Sequence, residues 1–447
     1  MPASLSMDYQ ISETEYRDSL KWLFSQLPMF SRIGQAAYKP GLDNTVALDS
    51  LYGYPHRKYK TIHVGGTNGK GSTSHMLASV FQKAGYKTGL YTSPHLVDFR
   101  ERIKINGEMI PQEAVTSFVN DWKKKETELN PSFFELTMMM AFNWFSKEKV
   151  DVAIIEVGMG GRLDSTNVIT PDLSIITNIS FDHTAFLGNT LKRIAMEKAG
   201  IIKPGIPVVI GETDEETKEV FSKKAMECES KILFAEEFDR IASTNHNSEG
   251  WAFNMISGEE YFIPMPGLYQ EKNIRTILTA IDELNRIGYK ITKENIKDGL
   301  KNVQELTGLR GRWQLTRKHP DIVCDTGHNE AGIREAMKTL KTIYPDKKIK
   351  FVIGFVNDKD VEKIINYFPK DADYYFTKAD IPRAMSEETV ASYFSNKGIV
   401  GSTYLKVADA VTAALKDSNE NSIIYVGGST FIVADYLAAF AEDSVED

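Results

Sequence analysis

Residues 61–84 constrain this chain more than any other stretch. Thr61-Ile62-His63-Val64 predicts a short buried strand. Gly65-Gly66-Thr67-Asn68-Gly69-Lys70-Gly71-Ser72 predicts a glycine-rich turn, and residues 72–84 a helix with Met76, Leu77, Val80, Phe81 and Ala84 on one face. Glycines let backbone N–H groups approach an anion with no Cβ in the way. The helix N-terminus adds partial positive charge, and Lys70 adds a mobile full charge suited to β and γ phosphates. The spacing departs from the usual P-loop, because Gly71 follows Lys70 and the hydroxyl comes one place later, at Ser72. The strand before and the helix after favour a nucleotide cradle over a plain turn.

Composition narrows the partners of such a cradle. The 447 residues are enough for two domains of ordinary size. A hydrophobic share of 42% beside 26% charged residues describes a globular chain with a sizeable core. A net charge of −8 gives no basic surface for nucleic acid, although a local basic pocket for an anionic substrate is compatible with it. Cys228 and Cys324 lie far apart without metal-ligand spacing, which predicts free thiols in a reducing compartment. Cys324, in Ile322-Val323-Cys324, reads as a buried strand residue. No basic stretch precedes an apolar core at the N-terminus, and no apolar run reaches membrane-spanning length. The expectation is a cytoplasmic protein without a signal peptide or a membrane partner.

Residues 1–9 read as frayed and residues 13–26 as an amphipathic helix with Tyr16, Leu20, Leu23 and Phe24 as its stripe. Residues 29–51, rich in Gly, Pro and Asn, read as a long connection, either functional or a packed surface loop. Strands are predicted at 88–92, 151–157, 173–178 and 206–210, with helices at 111–129, 134–145 and 191–199. This alternation argues for a doubly wound, mostly parallel sheet. Residues 230–266 break it with short strand-like runs that suggest an antiparallel addition, before helices at 271–288 and 293–301. The boundary is placed in residues 304–311, dividing the chain into 1–305 and a smaller α/β domain, 306–447, with strands at 322–325, 349–354, 374–377 and 423–426. Residues 442–447 read as a solvated acidic tail, and no repeat or low-complexity segment stands out.

In open α/β sheets ligands sit at the carboxyl ends of strands. Ser93, Glu156 and His183 each fall at such an end, beside the glycine loop. A hydroxyl, a carboxylate and an imidazole suit the metal ion that accompanies a nucleotide, the oxygens above all for magnesium. Each also has a bland reading: Ser93 opens a turn before Pro94, Glu156 needs a buried partner, and His183 is a turn histidine. Lys198, taken alone, reads as a solvated helix lysine. In the second domain, Arg312 offers a phosphate clamp and Asp325 a partner for ribose hydroxyls, against a surface arginine and a helix cap. Thr377-Lys378-Ala379-Asp380 resembles a guanine reader but lies in the other domain from the phosphate loop. Gly427-Gly428-Ser429-Thr430 is a second glycine turn without a lysine and reads as close-packed.

Taken together, the motifs resemble the folylpolyglutamate synthase/dihydrofolate synthase family, within the Mur-type ATP-dependent amide ligases. The stretches that carry the resemblance run from His63 to Ser72, Thr92-Ser93-Pro94-His95-Leu96, Arg100-Glu101-Arg102-Ile103, Glu156 to Asn167, Phe181-Asp182-His183, Glu197 to Lys203, Gly311-Arg312 and Asp325-Thr326-Gly327-His328-Asn329. The resemblance implies an ATPase domain followed by a Rossmann-like domain, with the active site between them. It implies that Thr67, Asn68, Gly69, Lys70, Gly71 and Ser72 hold ATP phosphates, and that Asn273, Arg312 and Asp325 hold ATP from the second domain. Ser93, Glu156 and His183 match magnesium ligands, and Lys198 matches a carbamylated lysine, which replaces the bland reading of that residue. Ser132, Phe133, Phe134 and Glu135, with Leu163, Asp164 and Ser165, match stretches bordering a pteroate site. The family often carries His-Gln before the Asn of the interdomain helix, whereas here Tyr269-Gln270 precede Asn273.

The implied activity joins L-glutamate to dihydropteroate, to the glutamate tail of reduced folates, or to both. ATP first converts the acceptor carboxylate to an acyl phosphate; the glutamate amine then displaces phosphate. Lys70, Glu156, His183 and Lys198 are the implied catalytic set, and a monomer using small-molecule substrates is expected. Two other readings compete. A peptidoglycan-building Mur ligase carries a nucleotide-sugar domain before its phosphate loop, and only about sixty residues precede it here, fewer than a usual domain. A P-loop switch protein needs a guanine reader in the phosphate-loop domain and has no use for a second domain bearing Arg312 and Asp325.

Overall fold

The computed structural model describes residues 12–29 and 41–440. Eight strands form the first sheet: β1 (Lys60–Gly65), β2 (Thr88–Tyr91), β3 (Ile103–Ile105), β4 (Glu108–Met109), β5 (Val152–Glu156), β6 (Leu173–Ile176), β7 (Val208–Ile210) and β8 (Ile232–Phe234). Their order is β4-β3-β2-β5-β1-β6-β7-β8. From β2 to β8 neighbours run parallel, and β3 and β4 are added antiparallel at one edge. Strand alternation divides the core. Ile62, Val64, Val152 and Ile154 pack under the glycine-loop helix Lys70–Lys83. Ala153 and Ile155 face the other way, toward helices Glu13–Gln26, Gln112–Lys124 and Phe133–Lys147. β9 (Ile241–Asn247), β10 (Gly250–Met255) and β11 (Glu260–Ile263) make a separate antiparallel sheet, as the break in alternation anticipates.

β12 (Gln314–Arg317), β13 (Asp321–Cys324), β14 (Lys348–Ile353), β15 (Asp373–Thr377), β16 (Ser402–Tyr404) and β17 (Ser422–Gly427) form a six-stranded sheet in the order β12-β13-β17-β14-β15-β16. Only β12 is antiparallel. Its faces carry two cores of their own, one around Phe351, Phe376 and Tyr425, the other around Val352, Val426 and Val411. Two expectations need correction. The predicted helix at 111–129 stops at Lys124, where Lys125 turns extended. The predicted connection at 29–51 is not all loop, since Asp43–Leu51 is a helix with Leu48 in the core. Residues 30–40 of that connection, the frayed residues 1–9 and the acidic tail lie outside the described residues. Cys228 and Cys324 are both buried and free.

Candidate active site between the two sheets

β2, β5, β1 and β6 are consecutive neighbours in the sheet, and the functional candidates stand at their adjacent carboxyl ends. The parallel register sets Glu156 beside Val64, immediately before the glycine loop. Ser93 follows β2 and donates its backbone N–H to the Glu156 carboxylate at 2.9 Å. His183 follows β6 and adopts a left-handed backbone, φ 47°, where it starts a short helix. The loop is built for close approach. A Cβ at Gly66 would collide with Thr177, and one at Gly69 would come within 2.6 Å of Asn273 Oδ1. One at Gly71 would meet Arg312 Nη2 at 3.2 Å. Asn273 and Arg312 therefore press on the loop from the interdomain helix Gln270–Arg286 and from the bend that leads into β12.

These residues line a cleft of about 350 Å3 that runs between the sheets. It includes the whole of Gly66 to Ser72, Ser93, Glu156, His183, Lys198, Asn273, Arg312 and Asp325. Every residue expected to hold nucleotide or metal thus faces one space. Lys70 folds onto its own loop, donating to Gly66 O at 2.9 Å and Thr67 O at 3.0 Å. Lys198 is not the solvated lysine its residue type suggests. It is 4% exposed and donates to the same Gly66 carbonyl at 2.8 Å. Burial, reinforced by the Lys70 charge, brings its pKa down to about 7. Burial also raises the Glu156 carboxyl, although Lys70 and Arg312 pull the other way. Burial lowers His183 to about 4, with Asp182 opposing.

The donor chemistry suits a hard cation held together with phosphate oxygens. Ser72 Oγ is buried at the loop with no hydrogen-bond partner among the described residues, and Glu156 Oε1 points toward Gly71. Among the described residues no group of three or more His, Cys, Asp or Glu side chains is assembled into a metal cage. That pattern fits magnesium, which takes one or two protein carboxylates and completes its shell with water and substrate phosphates.

A second cleft, of about 270 Å3, adjoins the first and shares Ser93, Gly158, Met159, His183, His328 and Thr430 with it. Ser132, Phe133, Phe134, Glu135, Leu163, Asp164 and Ser165 all line it. The two carboxylates among them are committed to the walls. Glu135 caps its own helix at Ser132 N and accepts from Thr45 Oγ1. Asp164 accepts from Met159 N, Thr166 N and the Thr166 hydroxyl. The second domain supplies Lys359, Arg383 and Phe431 to this cleft. Asp325 holds the joint between domains, accepting from Tyr269 Oη at 2.9 Å, Trp313 N and Gly327 N. Tyr269, at the position where the family often has His, thereby ties the interdomain helix to the second sheet.

Sequence reading singles out no role for Asp182, yet it is the main polar link across the cleft. It accepts from His328 Nε2 at 3.2 Å, Asn329 Nδ2 at 3.2 Å and Lys359 Nζ at 2.5 Å, all from the second domain. Against the penalty of burial, His183, His328 and Lys359 hold its carboxyl well below the usual range. Its place beside His183 in Phe181-Asp182-His183 is the one sequence signal for it. The Thr377-Lys378-Ala379-Asp380 stretch lines neither cleft; Lys378 pairs with Glu387 at 3.5 Å and Asp380 N–H donates to Asp435.

Comparison with known proteins finds relatives over nearly the whole chain. Residues 64–281 match the Mur ligase middle domain, and residues 311–430 match the Mur ligase, glutamate ligase domain. The dihydrofolate synthase/folylpolyglutamate synthase of Bacillus subtilis is 32% identical over 438 residues, spanning 94% of this chain and 98% of the relative. The structure of E. coli FolC in complex with DHPP and ADP superposes with a TM-score of 0.82 at 28% identity, covering 96% of this chain and 98% of that one. A bifunctional folylpolyglutamate synthase/dihydrofolate synthase with Mn, AMPPNP and L-glutamate bound gives a TM-score of 0.79 at 26% identity, covering 95% and 98%. Among the described residues no helix is long and apolar enough to cross a membrane. With its phosphate loop, its paired clefts and its two sheets in this order, the chain belongs to the folylpolyglutamate synthase/dihydrofolate synthase family of Mur ligases.

Proposed function

We propose that this chain is an ATP-dependent ligase that adds L-glutamate to dihydropteroate and/or to the glutamate tail of reduced folates, releasing ADP and phosphate. The observation that carries the reading is the meeting of two unlike clefts at Ser93, His183 and Thr430. One is charged and glycine-lined; the other is walled by Phe133, Phe134 and Phe431. An acceptor carboxylate reaching from the aromatic cleft arrives where a γ-phosphate on the glycine loop would stand. Gly66 to Ser72 hold the phosphates, with Lys70 leaving its loop carbonyls to neutralise charge that grows during transfer. Arg312 closes over Gly71 from the second domain, and Asn273 abuts Gly69. Asp325 has three donors in place, which leaves about one acceptor position for a ribose hydroxyl.

Ser93, Glu156 and His183 would hold Mg2+, which when bound supplies Lewis-acid neutralisation of the phosphate oxygens. Carbamylation of Lys198 belongs to the same reading: a pKa of about 7 leaves a neutral amine to react with carbon dioxide at physiological pH. The acyl phosphate is hydrolysable, and the Asp182 contacts with His328, Asn329 and Lys359 keep the domains together around it. The test is glutamate-dependent ADP release from purified protein with ATP and Mg2+, run in parallel with dihydropteroate and tetrahydrofolate. Release with both acceptors is expected of a bifunctional enzyme, and release with tetrahydrofolate alone restricts the reading to polyglutamylation. No glutamate-dependent release with either would overturn it.

A further inference from the structure

The buried cation Lys104 lines neither cleft. It sits on β3 and is 5% exposed. Its ammonium donates to Thr307 O at 2.7 Å and approaches Gly308 O at 3.4 Å. Among the described residues its hydrogen-bond partners are these two carbonyls and no carboxylate. They are the last carbonyl of the helix Val303–Thr307 and the carbonyl of its C-cap Gly308, where the chain leaves the first domain. A cation suits the partial negative charge of such an end, but burial disfavours it, and the Glu101 charge that opposes this makes no hydrogen bond with it among the described residues. That expense calls for an explanation.

The same helix end is gripped from a second side. His75, on the glycine-loop helix and 6% exposed, places Nδ1 2.8 Å from Thr307 Oγ1. The Thr307 hydroxyl donates its one proton to Val303 O at 2.5 Å, so it accepts from His75, whose Nδ1 carries the hydrogen. Beyond the grip the linker turns at Gly308, φ 62°, and Gly311, φ 67°. Gly311 O then accepts from Thr326 N at 3.0 Å on the second domain. Arg312 comes next, held by the Thr326 hydroxyl and reaching over Gly71. The linker is thus rooted on the helix that begins with the phosphate loop and delivers its arginine back to that loop.

We propose that Lys104, acting with His75 on Thr307, fixes the root of the interdomain linker and is a positioning residue for Arg312 at the phosphate loop. The inference rests on the reading of Arg312 as a nucleotide contact. Two glycines in left-handed conformations let the linker turn between the domains and leave it several paths to take. A fixed root converts that freedom into one arc, which ends with the guanidinium over Gly71. Without the Lys104 clamp the arc broadens and Arg312 meets ATP in fewer molecules.

The test is a double-mutant cycle on the full chain, reading KM for ATP and kcat in glutamate-dependent ADP release. Lys104→Met is expected to raise KM for ATP roughly tenfold, and Lys104→Arg to restore most of it. In an Arg312→Ala background, Lys104→Met is expected to add nothing. Equal factors in both backgrounds would overturn the proposal, because they would mean that Lys104 acts on general stability or elsewhere. If Lys104→Met does not fold, Thr307→Val enters the same cycle with the same expectation, since it removes the His75 contact and keeps the shape. An unchanged KM for ATP in Arg312→Ala alone would overturn the reading of Arg312 itself and the proposal with it. That outcome is distinct from additivity, in which Arg312 matters and Lys104 does not act through it.

Discussion

The molecule contains two glycine-rich turns that each end a parallel strand and open a helix, one after β1 and one after β17. They differ in what satisfies the first turn of the helix. After β17, Ser429 is the N-cap and its hydroxyl accepts from Phe431 N. Gly428, φ 87°, presses against Gly354 O, where a Cβ would come within 2.8 Å. That turn is closed on itself. After β1 the N-cap is Gly69, with no side chain to give, and the first-turn N–H groups have no side-chain cap. Ser72 Oγ is buried with no hydrogen-bond partner among the described residues, and Lys70 waits on loop carbonyls. Glycine supplies the geometry in both turns; what makes a phosphate site is donors left uncommitted, plus a lysine.

The largest effect expected from this difference is at Lys70. Lys70→Ala should lower ADP release by ~10^3-fold or more, the scale seen when a phosphate-stabilising cation is removed. Burial lowers the Lys70 pKa, so the folded state pays a penalty for this charge and should not lose stability with it. A variant with wild-type turnover, or one that simply unfolds earlier, would break the comparison. Gly66→Ala should come next. Its Cβ would strike Thr177, and φ 135° is reserved for glycine. A loss of ~2 kcal/mol or more in urea unfolding is expected, together with loss of nucleotide binding.

Lys198 gives a pH signature. Burial first, and Lys70 second, lower its pKa to about 7. The neutral amine therefore predominates above that pH and vanishes as pH falls below it. Carbamate on Lys198, followed by 13C NMR with labelled bicarbonate, should appear through the neutral range and decline on the acid side, with activity following it. A carbamate signal absent throughout, or unchanged in Lys198→Ala, would remove this part of the mechanism.

Sequence alone reached the glycine loop and the strand-end candidates because each sits in a short contiguous motif whose chemistry is local. The helices Glu13–Gln26, Leu191–Ala199 and Lys293–Lys301 were legible to the residue, since Ser12, Thr190 and Thr292 cap them. β3, β4, β12 and β16 were not, being two to four residues long with antiparallel or edge positions that only tertiary pairing defines. Lys198 looked solvated because amphipathic periodicity cannot announce a lysine on the buried side. Asp182 with Lys359, and Lys104 with Thr307, bring together residues 177 and 203 positions apart. No local pattern encodes such pairs, and they are the ones that join the domains.

The smallest expected effects separate the two serines of the two turns. Ser429→Ala removes a hydroxyl that satisfies Phe431 N, so it should cost about 1 kcal/mol of stability. Ser72→Ala removes a hydroxyl with no hydrogen-bond partner among the described residues, so urea unfolding should hardly change. Its effect should fall on turnover at limiting Mg2+ and ATP, because the hydroxyl is available only to a ligand. Ser429 also lines the cleft proposed for the acceptor, so its variant should alter KM for glutamate or acceptor while leaving KM for ATP near its original value. Measuring both variants by unfolding and by KM for ATP gives four numbers with one predicted pattern: stability falls only for Ser429→Ala, and ATP dependence shifts only for Ser72→Ala. If the two exchanged behaviour, uncommitted donors would not be what distinguishes the loop after β1, and the phosphate site would have to be explained by Lys70 alone.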